Sequence, residues 1–193
     1  AHVKEVVAAQ GEGALDFFLF HTFVDMAGIA GAKTLNGSAF MTEPMFVNFG
    51  LGLDELAKLA GLSAIATYDS FLNERAKAQG LEMNARSERA MVRLACNCRI
   101  FDPKGAQMVI DEFNKMDNQD QVLLVHFLNL DGINTVPAFL LYYLPAYLDN
   151  CIKNPDVELS SGFRLLVSIW TVLEAMYSDK AEGDVANNLP VIT

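Results

Sequence analysis

Asp102 followed directly by Pro103 is the signal that most restricts what this chain can fold into. An acid that can accept a free backbone N–H, then a proline whose missing N–H costs nothing in a first turn, predicts the start of a helix. Beyond it Val109, Phe113 and Met116 fall on one stripe, while Asp111, Glu112 and Lys115 fall elsewhere. Asp117 predicts a second cap, with Asp120 in a first turn where the helix dipole favours an acid. The helix that follows carries Val122, Leu123, Leu124, Val125, Phe127 and Leu128. It is apolar nearly all round and is expected at the centre of a core.

The same grammar runs through the rest of the chain. Residues 53–60 and 64–78 are amphipathic and parted by Gly61; residues 84–100 put Met91, Leu94, Ala95 and Cys98 on one side. Residues 137–152 predict a helix kinked at Pro145. Asn154-Pro155-Asp156 predicts another capped start, leading into the apolar stretch 163–176. No segment alternates apolar and polar residues long enough to demand a strand. The expectation is an all-α, single-domain irregular bundle of roughly seven to eight helices over residues 1–178, with an extended tail over 179–193.

One long apolar connecting arm interrupts it. Residues 33–48 hold Gly37 and Pro44, yet also Phe40, Met41, Met45, Phe46 and Val47. Connections longer than about 12–15 residues are uncommon. An arm this apolar must pack on its own helices or on another protein.

Composition narrows the function. Apolar residues make up 52% of the chain and charged residues only 20%, which leaves apolar surface beyond what one core needs. The formal charge is −10, from 24 acids and 14 bases, so phosphate backbones and anionic membranes are repelled and nucleic acid is not expected as a partner. Residues 14–32 come closest to the ~20 apolar residues of a membrane span, but Asp16, His21 and Asp25 interrupt them. Residues 163–177 are too short, and Asn129 and Asp131 break residues 122–148. No transmembrane span is expected. The chain begins at Ala1 without a methionine, which reads as trimmed or processed.

Candidate chemistry is sparse. His21 and Asp25 are four apart and share a helix face, a spacing that could give a metal ligand and its supporting carboxylate. His126 lies in the apolar helix beside Phe127, and an imidazole in such surroundings could ligate a metal or a tetrapyrrole's magnesium. Burial is expected for both histidines; the plainer reading makes each a core histidine satisfied by a neighbouring carboxylate or carbonyl. Cys96 and Cys98 are roughly 200° apart around a helix, so they cannot face one metal, and with Cys151 they form no disulfide framework. No nucleophile elbow, zinc-protease or phosphate-loop motif occurs. Tyr142, Tyr143 and Tyr147 form an aromatic patch with polar tips, suited to an interface or a core. Phe17, Phe18, Phe20 and Phe23 are expected in the core.

From residue 110 to 130 the chain resembles part of the helical carotenoid-binding domain of the orange carotenoid protein family. Ile110, Phe113, Asp120, Gln121, Leu124, Phe127 and Leu130 match without a gap, with conservative matches at Met116, Val122 and Val125. The resemblance covers about 21 residues of the 193. It implies an all-α domain, a photosynthetic source (plastid or cyanobacterial), and carotenoid or chlorophyll as the pigment class. At two positions where that family lines its pigment with aromatic residues this chain has His126 and Asn129, so no pigment site carries over.

The expected function is therefore a non-catalytic helical binding or scaffolding subunit of a protein assembly. Its expected interface residues are Phe40, Met41, Met45, Phe46, Tyr142, Tyr143 and Tyr147. The first alternative is a carrier of an apolar pigment, lipid or tetrapyrrole in a pocket between helices. The second is a metal-dependent enzyme using His21, Asp25 and His126.

Overall fold

A computed structural model describes residues 2–11, 13–28, 43–130, 138–139, 141, 143–181 and 191–192. The chain is all-α, as its punctuation predicts. Among the described residues the helices are α1 (His2–Gln10), α2 (Gly13–Gly28), α3 (Glu43–Ala57), α4 (Ala64–Gln79), α5 (Arg86–Asn97), α6 (Pro103–Asn114), α7 (Asn118–Leu128), α8 (Leu144–Lys153) and α9 (Leu159–Ala181). A 3₁₀ turn, Lys58–Ala60, extends α3. Two residues, Ala138–Phe139 (β1), pair in parallel with Val191–Ile192 (β2). Contacts divide the chain into two compact units, Ala1–Phe71 and Leu72–Thr193.

In the first unit α1 packs on the 3₁₀ turn and on α2, and α2 packs on α3. Gly11 ends α1 at φ +66°, where its N–H closes on Val7 O at 2.9 Å. Lys4 Nζ donates to Leu62 O at 3.3 Å, tying α1 to the loop before α4. The core here is slight: among the described residues of this unit, Val7 and Leu53 are the buried apolar side chains.

The second unit holds the main core. Leu94 and Cys98 from the α5 segment, Val109 of α6, Leu124 and Phe127 of α7, Leu148 of α8 and Phe163, Leu166 and Trp170 of α9 are all buried together. Phe127 and Trp170 meet at 5.6 Å between ring centroids. Both acidic caps form: Asp102 accepts from Gly105 N at 3.0 Å, and Asp117 from Asp120 N at 2.9 Å. Asn129, buried at the end of α7, donates to Val125 O and Arg86 O and accepts from Arg89 Nη1 at 3.4 Å, joining α7 to α5.

Four expectations need correction. Residues 43–48 of the arm are helical, because Glu43-Pro44 fits a first turn, where proline loses no hydrogen bond; residues 33–42 lie outside the described residues. Pro145 does not kink a helix but opens α8, for the same reason. Asn154 ends α8 and folds back so that its Oδ1 accepts from Asp156 N at 3.0 Å, and α9 starts only at Leu159. α7 is central on one side only: Leu124, Phe127 and Leu128 are buried while Val122 is 61% exposed.

Candidate binding surface

α2 carries more apolar side chains than one neighbour can cover. Leu15, Leu19, Thr22 and Met26 recur at helical spacing and are half-buried. The remaining circumference leaves Phe17, Phe18, Phe20, Phe23 and Val24 exposed, Phe17 at 69% and Phe20 at 64%. These phenylalanines were expected in the core. They lie outside it because burying one stripe of a helix that has no polar face leaves its other apolar stripes bare.

The surface continues onto α3. Phe23 meets Phe46 edge-on, with centroids 6.4 Å apart and planes at 84°, and Phe18 lies 6.0 Å from Phe49. Met45, Phe46 and Val47 are exposed beside them. Leu19, Phe20, Phe23 and Phe46 line an open cleft of about 610 Å³ whose remaining lining residues are the carboxylates Asp16 and Glu43. The face is thus aromatic at its centre and acidic at its edge.

The other sequence candidates scatter. His21 and Asp25 are both exposed on α2, which corrects the expected burial of His21: it stands on the uncovered side of the helix. His126, in the second unit, is half-exposed, and its Nε2 sits 3.1 Å from Glu174 Oε1 of α9. A neighbouring carboxylate does satisfy it, at the surface rather than in the core. Among the described residues no three His, Cys, Asp or Glu side chains converge where they could hold a metal ion.

Of the expected interface residues, Met45 and Phe46 are exposed and Tyr143 is 77% exposed. Tyr147 is half-buried, and its hydroxyl donates to Gly162 O at 3.2 Å, joining α8 to α9. Burial, with Cys151 beside it, pushes its phenol up to about 12. Burial likewise pushes the Cys98 thiol up to about 12, aided by Cys151 and Cys96 nearby. Phe40, Met41 and Tyr142 lie outside the described side chains.

α9 carries a second apolar face. Leu165, Ile169, Val172 and Met176 are exposed on the side opposite Phe163, Leu166 and Trp170. Residues Leu159–Met176 reach the length and composition of a membrane span, with a mean hydropathy of 1.2, which corrects the reading of this stretch as too short. Phe163, Leu166 and Trp170, the buried stripe of α9, pack into the core of the second unit.

A family model matches residues 4–189. The chain belongs to DUF6829, a family of unknown function. The DUF6829 match spans both units, so the α2–α3 face and the core of the second unit fall within the same family region. No curated protein matches the chain. No solved structure matches it either.

Sequence reasoning missed Phe17, Phe18 and Phe20 as surface residues. α2 itself signals that some of its apolar residues must stay exposed, because they occupy every side of the helix, but not which of them.

Proposed function

We propose that this chain is a non-catalytic helical binding subunit that docks on another protein through the α2–α3 face. One observation carries the reading: the first unit keeps Val7 and Leu53 buried while Phe17, Phe18, Phe20, Phe23 and Phe46 stand exposed. A monomer rarely keeps a contiguous apolar patch of that kind in water. Large rigid aromatic side chains supply much of the binding energy at protein interfaces, because they bury area at small entropic cost. Asp16 and Glu43 at the cleft add a preference for a partner surface bearing Lys or Arg, since complementary charge speeds encounter and fixes register.

Replacing Phe20 and Phe46 together by serine tests the reading. Far-ultraviolet circular dichroism and the unfolding midpoint should match wild type, while recovery of the partner on affinity purification from the source cell is lost. Lost helicity in the variant would make these rings part of the fold, and the interface reading would be withdrawn.

A further inference from the structure

We infer that the α2–α3 face seats one amphipathic helix of the partner, about 15 residues long, apolar along one side and flanked there by Lys or Arg. This rests on the docking reading above and names what docks. The cleft of about 610 Å³ is one end of a longer groove. A second cleft of about 400 Å³ adjoins it, and Asp16 and Leu19 line both. On α3 Glu43, Phe46, Gly50, Asp54 and Ala57 line the two clefts, three or four residues apart and therefore in one stripe. On α2 Asp16, Leu19, Phe20 and Phe23 form the matching stripe. Phe23 lies beside Phe46 and Phe18 beside Phe49, so the two helices run antiparallel and their stripes border one groove. The groove follows the 15 residues of α3, about 22 Å at ~1.5 Å per residue, or roughly four turns of a docked helix.

The walls decide the conformation of the occupant. They are side chains of two helices, whose backbone N–H and C=O groups are spent on their own ladders. An extended peptide pressed between them would bury backbone donors and acceptors that nothing there can pair. A helix pairs its own backbone and presents only side chains, and its apolar ridge fits the groove between two others. Charge decides the flanks. Asp16, Glu43 and Asp54 stand exposed along the groove. The cation that lines it, Lys58, is already engaged: its Nζ donates to Glu55 Oε1 at 2.6 Å and to Ser70 Oγ at 2.9 Å. On a chain of formal charge −10 the groove therefore favours a basic helix and repels an acidic one. Gly50 lies on the stripe, and a Cβ built there meets nothing within 4 Å, which leaves room for an apolar anchor.

The test is a fluorescence-anisotropy titration of the full chain against three labelled peptides of about 15 residues. The first is built of leucine and lysine with leucine at helical spacing, the second has glutamate for lysine, and the third alternates leucine and lysine as a strand does. The first should saturate one site, and the other two should bind at least about tenfold more weakly. Gly50→Leu should weaken the first peptide at least about tenfold with circular dichroism unchanged, since leucine suits a helix better than glycine. Asp54→Asn should weaken it roughly two- to fivefold and flatten its salt dependence. Val172→Ser, on the apolar face of α9, should change nothing. Absence of saturable binding, equal binding of either control peptide, or indifference to both groove substitutions overturns the proposal; so does equal weakening by Val172→Ser. Loss of the cellular partner from the Phe20 and Phe46 serine variant, with no binding of the helical peptide, would keep the docking reading and overturn this one. Groove-dependent peptide binding with the cellular partner retained on that variant would do the reverse.

Discussion

Arg99 closes α5 with φ +57°, a left-handed conformation in which a side chain crowds its own carbonyl. The turn is held by Ile100 N donating to Ala95 O and Arg99 N to Cys96 O, each at 3.0 Å. Gly80 occupies the equivalent place at the end of α4 without that crowding. Arg99→Gly should therefore raise unfolding stability by about 1 kcal/mol in a denaturant titration; a loss would mean that the arginine side chain holds the turn. Cys98 makes a second prediction. Its thiol prefers the neutral form up to about 12 in the folded chain against an ordinary 9.0. Its contribution is fully present below the ordinary value and is lost as pH rises towards the folded one. Iodoacetamide at mildly alkaline pH should spare Cys98 until the chain unfolds, and rapid labelling of the native protein would contradict its burial. Asp117 shifts the other way, held down first by the Asp120 N–H that it caps. Its contribution is present above the ordinary 3.8 and is lost as pH falls through the lower folded value. Asp120 is raised instead, by burial and by the charge of Asp117. A carboxyl-carbon NMR titration should find Asp117 below and Asp120 above 3.8; the reverse order would contradict the cap.

At the scale of elements, what could be read from the sequence was what neighbours within a few residues decide. Asp102-Pro103 opens α6 because cap and proline act within one turn, and Asp102→Ala should cost roughly 0.5–2 kcal/mol, read from the shift in unfolding midpoint. Pro145 and Pro155 show where local reading fails. A proline inside an apolar stretch is compatible with a kink, a helix start or a loop, and only the packing of the surrounding chain selects one. Pro145 became a start, and Pro155 stayed in the turn between α8 and α9. Burial was legible where a helix has two unlike faces: Met91, Leu94 and Ala95 on α5, with Cys98 at its C-terminal cap, are buried as their spacing predicts. α2 has no polar face to turn outward, so its sequence could not say which phenylalanines the fold would cover. The groove was not legible at all, because it arises where stripes on two separate helices come side by side.

At the scale of the molecule, the two units differ in how they spend their apolar residues. The second encloses Phe127, Phe163, Trp170 and their neighbours in one core. The first leaves its aromatics on the outside, and the account assigns them to a partner protein. Photo-crosslinking in the cell that makes the protein tests this most directly. A benzophenone side chain at Phe20 is compared with one at Lys77, an exposed position on α4 in the second unit. The account predicts one discrete heavier adduct from position 20, none from position 77, and loss of the adduct when Phe17 and Phe46 are serine. No adduct from position 20, or the same adducts from both positions, would contradict it.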